Sequence, residues 1–157
     1  MWWRRRKGEN WDNVKGATNK RRFKSLVGKG EVTGIIAYLG REPVGWCQFG
    51  PRLSFEALER ARTLKCDDPD HVWSINCLFV LRKARGQGVA TGMITAAIAA
   101  VGKRGGEIVE AYPVKPKRGE RIPDAFAWTG TLATFRRLGF KSVGDRTRSR
   151  QRVRISV

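Results

Sequence analysis

Residues 85–90 read Arg-Gly-Gln-Gly-Val-Ala, between an apolar run at 73–81 and a run of small apolar residues at 89–101. The first run has the pattern of a strand and the second that of a buried helix. A strand that turns through glycines into a helix gathers backbone N–H groups that have no acceptor inside the helix, and the helix dipole adds partial positive charge there. That arrangement holds anions, most often a phosphate or diphosphate. Gly86 and Gly88 let a ligand approach the backbone and permit positive φ, and Arg85 places a cation at the mouth of the turn. The chemistry expected of this stretch is the binding of a phosphorylated small molecule.

The other reactive side chains are less patterned. Cys47, Cys66 and Cys77 are three, widely spaced and without a C-x-x-C pair, so neither a zinc site nor a disulfide framework is expected. They read as reduced, buried thiols. The chain has 157 residues, 41% of them hydrophobic, which suits one domain over 1–157 with a real core. No apolar run approaches the ~20 residues of a membrane span. The N-terminal Met-Trp-Trp-Arg-Arg-Arg lacks a signal-peptide pattern. These features point to a cytoplasmic protein without a membrane partner. Nothing in the sequence fixes the oligomeric state, a dimer included.

The net charge is +18, from 32 Lys+Arg against 14 Asp+Glu. Residues 1–24 carry +7 and residues 140–157 carry +5, so the excess lies at the two ends. Arg146, Arg148, Arg150, Arg152 and Arg154 alternate, which on an extended chain puts all five on one face. Such a field attracts anionic partners. One reading is a nucleic-acid- or ribosome-associated binding module; the other is an edge strand whose charges prevent aggregation.

Elements must position the glycine turn. Residues 1–6 read as a short strand and 17–27 as a helix with apolar Phe23, Leu26 and Val27. Residues 32–39 and 43–49 form a hairpin, and Ser54 caps a short helix over 55–62. A loop with Asp67, Asp68 and Asp70, suited to attracting a cationic amine, leads into the strand at 71–81. Alternation there puts Trp73, Ile75, Cys77 and Phe79 on one face and Ser74, Asn76, Leu78 and Val80 on the other. After the helix at 89–101 come a strand at 107–112, a polar loop at 115–124, a helix capped by Thr129 or Thr131 that stops at Gly139, and strands at 140–143 and 150–157.

This order of elements, with these residues, resembles the GNAT superfamily of N-acetyltransferases over roughly residues 17–157. The family's acetyl-CoA loop has the form Gln/Arg-x-x-Gly-x-Gly/Ala, and Arg85, Gly88 and Ala90 fill its three positions. Its late helix often reads Tyr-x-x-x-Gly-Phe, and residues 135–140 are Phe-Arg-Arg-Leu-Gly-Phe. The resemblance implies an α/β fold with a mixed, mostly antiparallel sheet splayed between two central parallel strands. It implies transfer of acetyl from acetyl-CoA to a primary amine by direct attack. Gly86, Gln87, Gly88, Val89 and Ala90 would hold the diphosphate and Thr131 would line the site. Leu78, Phe79 and Val80 would pair with the pantetheine arm, and the N–H of Leu78 would polarise the thioester carbonyl.

The sequence departs from the family at Phe135, where a tyrosine usually stands to protonate the leaving thiolate; Thr131, Thr134, Tyr112 or a water must do so, or no acid is needed. Ser74 and Asn76 occupy cleft-side strand positions where a base would serve. The remaining candidates for general base are Glu110, on the next strand, and His71, the chain's only histidine; loss of the amine proton through water is the third route. Phe126 and Trp128 would line the acceptor side. One rival remains for the turn itself: Gly86-x-Gly88 followed by Glu110 also fits part of a Rossmann-type dinucleotide fingerprint, although the third glycine is missing.

Overall fold

The computed structural model describes residues 1–114, 127–144 and 150–157. Its core is a six-stranded sheet in the order β1-β2-β3-β4-β6-β5. The strands are β1 Thr33–Leu39, β2 Glu42–Pro51, β3 Val72–Val80, β4 Ile108–Ala111, β5 Lys141–Ser142 and β6 Val153–Ser156. All neighbours are antiparallel except β3 and β4, which are parallel. Two parallel neighbours need a crossover, and α4, Val89–Gly102, supplies it. The mostly antiparallel mixed sheet expected above is therefore present. A hairpin meander leading into a single crossover is not a repeated βαβ unit, which removes the dinucleotide module.

One face of the sheet is dry. Met93, Ile94, Ala97 and Val101 of α4 pack on Cys47, Phe49, Ile75 and Leu78, and full burial of a side chain such as Ile94 contributes about 1.5–3 kcal/mol. A Cβ on Gly45 of β2 would come within 2.9 Å of Met93, so glycine there lets α4 sit down on the sheet. The short helix α5, Leu132–Arg137, closes the same face through Leu132 and Phe135. The opposite face carries the N-terminal 3-10 turn Trp2–Arg4, α1 at Trp11–Val14, α2 at Ala17–Gly28 and α3 at Glu56–Glu59. Trp3, Phe55, Leu58, Leu64 and Tyr112 form a smaller cluster there. Among the described residues, no helix is long and apolar enough to cross a membrane.

Several local expectations are corrected. Residues 1–6 form no strand; the 3-10 turn buries Trp3 against Tyr112 and Trp128 instead. Ser54 does not cap α3, because its Oγ is hydrogen-bonded to the Pro51 carbonyl. The alternation along β3 breaks at Asn76, where Gln48 faces Cys77 but Phe49 faces Ile75. One extra residue in a strand reverses the faces beyond it. Ile75 and Leu78 therefore share the core side, and Phe79 stands 52% exposed.

The arginine row is not a free face either. β6 lies inside the sheet, between β4 and β5. Arg154 binds Glu110 and Asp68, Arg152 donates to the Lys65 carbonyl, and Arg150 lies over the rings of Trp3 and Trp128. Arg146 and Arg148, the 115–124 loop and Phe126 lie outside the described residues.

Candidate functional site

β3 and β4 pair only from Val72–Ile75 with Ile108–Ala111. Past Asn76 the strands part, and a cleft of about 800 Å³ opens between the end of β3, the start of α4 and α5. Leu78, Phe79, Val80, Arg85, Gly86, Gly88, Val89, Ala90 and Thr131 all line it. Gln87 does not; its amide folds back onto the Lys83 carbonyl at 2.9 Å.

The floor of the cleft is built by the glycine turn. Gly86 has φ +76 and Gly88 φ +78, and a Cβ at either would meet nothing within 4 Å. Left-handed Gly88 is the N-cap of α4, and the first helical bond runs from Gly92 N–H to the Gly88 carbonyl. The N–H groups before Gly92 therefore face outward without helical acceptors, at the positive end of a 14-residue helix. Arg85 ties the turn to the strand through Nε, 3.0 Å from the Val80 carbonyl.

The far wall was less legible. Thr131, Thr134 and Arg137 are three apart on α5 and share one face, all toward the cleft. Thr131 and Thr134 hydroxyls lie 3.0 Å apart. Arg137 escaped the sequence reading; the signal for it was this three-residue spacing behind Thr131. Phe135 points the other way and is fully buried, with its ring edge-on to Phe140 at 5.0 Å.

The catalytic candidates scatter. Leu78 is at the cleft, but its N–H is donated to the Trp128 carbonyl at 2.7 Å. The segment from Ala127 to Thr131 lies in the gap between the strands, held on its other side by Val114 N–H on the Gly130 carbonyl at 3.0 Å. Trp128 lines the cleft, and Trp3 Nε1 reaches the Asn76 carbonyl below it. His71 is exposed at the opposite end of β3, some 23 Å of strand from Leu78. It is not placed to take a proton from anything in the cleft.

Glu110 is equally out of reach. It is fully buried on the face opposite α4, in register with Ser74 and Arg154. Its Oε1 meets Arg52 Nη1 at 2.5 Å and the Tyr112 hydroxyl at 2.8 Å; its Oε2 meets Arg154 Nε at 2.6 Å. With Arg152 Nε 3.6 Å from Oε2 as well, a carboxylate held by three guanidiniums is a structural counterion, not a base for an incoming amine. Tyr112, fully buried in the same cluster and hydrogen-bonded to Ser74, is likewise no proton donor to the cleft. Burial, with Glu110 beside it, pushes its phenol well up.

Arg154 also grips Asp68, at 2.6 Å, so the acidic loop is partly spent on an internal ion pair. That contact holds the Asp68 carboxyl well below its usual range. Its contribution to stability is present above the unfolded carboxylate pKa, about 3.9, and is lost as pH falls further. Asp68 is 40% exposed, so Asp68→Asn should cost no more than about 1 kcal/mol at pH 5, and acid unfolding should show its difference from the parent fading as the pH falls below the unfolded carboxylate value.

No carboxylate, imidazole or cysteine lines the cleft among the described residues. Burial pushes the Cys47 and Cys77 thiols up, so neither offers a thiolate at neutral pH. The arrangement can hold an anion on backbone donors and two guanidiniums, lay an extended arm along β3, and leave the chemistry to the ligands.

Comparison with known proteins agrees with this geometry. The sequence matches the acetyltransferase (GNAT) family over residues 2–119. No curated protein matches it. Among solved structures it is similar to PaiA N-acetyltransferase of Thermoplasma acidophilum in complex with coenzyme A, with TM-score 0.60 and 11% identity over 94% of this chain and 76% of that one. An aminoglycoside 6'-N-acetyltransferase complexed with coenzyme A gives TM-score 0.60 and 15% identity over 93% and 83%. A ribosomal-protein-alanine N-acetyltransferase of Brucella melitensis gives 0.57 and 17% over 88% and 77%. At such identities the likeness is one of fold.

Proposed function

This chain belongs to the acetyltransferase (GNAT) family, and on that premise we propose that it transfers the acetyl group of acetyl-CoA to a primary amine by direct attack. The observation that carries the reading is the open glycine turn at the head of α4, facing a gap between parallel strands. Acetyl-CoA fits what is there. Its diphosphate matches the N–H groups of the glycine turn and the first turn of α4, Gly86 to Ala90, and its phosphates match Arg85 and Arg137. Its pantetheine arm matches the edge of β3 from Leu78 to Val80 that faces away from β2, once the Trp128 carbonyl has left the Leu78 N–H. When bound it supplies an activated thioester.

The chain's own part is then binding, orientation and release of a proton. The Leu78 N–H serves a thioester oxygen only after the Trp128 carbonyl lets go of it. An aligned donor of this kind is worth roughly 3 kcal/mol in acyl transfer. With no base or thiolate at the cleft among the described residues, the acceptor enters as free amine or gives its proton to water, and no acyl-enzyme forms. The rate should therefore rise with pH toward the pKa of the acceptor amine, without an inflection from Glu110, His71 or a cysteine.

The deciding experiment incubates the protein with labelled acetyl-CoA and a panel of amines, peptides and cell extract, following both label and free thiol. Transfer of label to nitrogen is expected; thiol release at the rate of plain hydrolysis in every case would overturn the reading. Arg137→Ala tests the far wall. Arg137 is exposed, so the fold should survive while coenzyme A binds about tenfold more weakly in calorimetry, as for loss of one charge-assisted bond.

A further inference from the structure

A second cavity, of about 840 Å³, lies at the other end of the sheet, between α2 and the N-terminal 3-10 turn. It reaches β3 at Trp73, some 17 Å of strand from Leu78. One face of α2 walls it with Asn19, Arg22, Leu26 and Lys29, and Arg4 enters from the opposite side.

The polar groups of this cavity are incomplete. Asn19 is only 8% exposed, yet its Nδ2 has no acceptor among the described residues. Buried amide donors without partners are uncommon, because each costs its full desolvation. The Nε of Arg4 is also buried, without an acceptor among the described residues. Its other nitrogens reach only backbone carbonyls, those of Ser54 at 3.1 Å and Glu31 at 3.4 Å, and its plane stacks on Phe55.

Charge points the same way. Of the three carboxylates that line the cavity, Glu9 is taken by Arg22 and Glu56 by Arg60, while Glu31 lies near Arg4; against Arg4, Arg6, Arg22 and Lys29 the lining is left with one cation in excess. Among the described residues neither Arg4 nor Lys29 has a carboxylate within ion-pair distance. α2 begins at Gly16 without a side-chain cap, so its first turn adds partial positive charge beside Asn19. Leu26, Leu53 and Trp73 supply apolar wall, and Leu53 is 49% exposed. Orphaned donors, one cation in excess and an apolar flank in a space of ligand size describe a binding site.

We propose that this cavity is a second ligand site, for a small molecule carrying an oxyanion, carboxylate or phosphate, beside a short apolar body. It stands apart from the acetyl donor and does not depend on where acetyl-CoA binds.

The test uses inorganic phosphate and hexanoate as probes, at ionic strength held constant with sodium chloride. Melting temperature and calorimetric affinity are measured in a Gly88→Glu background, which removes the glycine turn as a competing anion site; should that variant not fold, protein saturated with coenzyme A replaces it. Saturable binding of either probe is expected, the two arms assigning the head group. Asn19→Leu should keep or raise the melting temperature, since it removes an unpartnered donor, and should weaken the probe at least tenfold. Lys29→Glu, an exposed change, should weaken it as well. Absence of a saturable response to both probes would overturn the proposal. So would an equal response in all variants, which would be a bulk effect of anions on a chain of charge +18.

Discussion

Gly88→Glu should abolish coenzyme A binding, with the dissociation constant raised at least ~100-fold in calorimetry. Two effects act together. Gly88 sits at φ +78, where a side chain strains the backbone by about 1–3 kcal/mol. Any relaxation shifts the N–H groups that start α4. The carboxylate would also project into the open space where the turn faces the cleft, since nothing lies within 4 Å of a Cβ there. A unit charge about 4 Å from a phosphate oxyanion is worth roughly 4 kcal/mol at an effective dielectric of 20. Solvent at the cleft mouth reduces this, and 100-fold is what survives a generous discount. Gly88→Ala separates the two causes, having the strain without the charge; it should lose stability modestly and bind measurably. Unchanged affinity in Gly88→Glu would mean that the turn does not hold the diphosphate.

That prediction was available from sequence because everything it needs is local. Glycines before an apolar helix, after an apolar strand, have few other uses, and the turn formed within six residues of chain. The hairpin of β1 and β2 followed from turn chemistry and strand pattern in the same way, whereas the mixed sheet was implied only by the resemblance to the GNAT superfamily. What escaped depends on partners far along the chain. Glu110 looked like a strand-borne acid because Arg52, 58 residues earlier, gives no sign in sequence that it will be fully buried beside it. Trp128 looked like a cleft wall, and it is one, but its carbonyl on the Leu78 amide is a backbone event that side-chain types do not encode. The bulge at Asn76 is one unpaired residue in an otherwise regular run, and only the register with β2 exposes it. The alternating arginines satisfied a surface pattern, yet β6 is inserted between β4 and β5, and the described three turn to internal acceptors and rings.

Glu110→Ala separates a base from a counterion. If Glu110 took the amine proton, the variant would keep its stability and lose turnover. The geometry demands the reverse. Removing the carboxylate leaves the Arg52 guanidinium, with no exposed surface, facing only the Leu64 carbonyl, the Tyr112 hydroxyl and half-buried Glu59. Arg154 would lose one of its two carboxylates. Breaking a buried pair from one side costs about 3–5 kcal/mol where the charge left behind is uncompensated; Arg52 keeps Glu59 at 2.7 Å, which places the loss here at the lower end of that range. Against a total of roughly 5–15 kcal/mol for a domain, that is a large fraction. Chemical denaturation should show the midpoint falling steeply, while turnover per folded molecule stays near that of the parent. Glu110→Gln should fall between, since it keeps the shape and one acceptor oxygen. The double change Arg52→Met with Glu110→Met should recover much of the loss, as apolar pairs of similar volume often match buried ion pairs. A Glu110→Ala protein of parental stability and lost turnover would return the base to this residue, and a route to the cleft would then have to open through Trp3 and Trp128, which now stand between them.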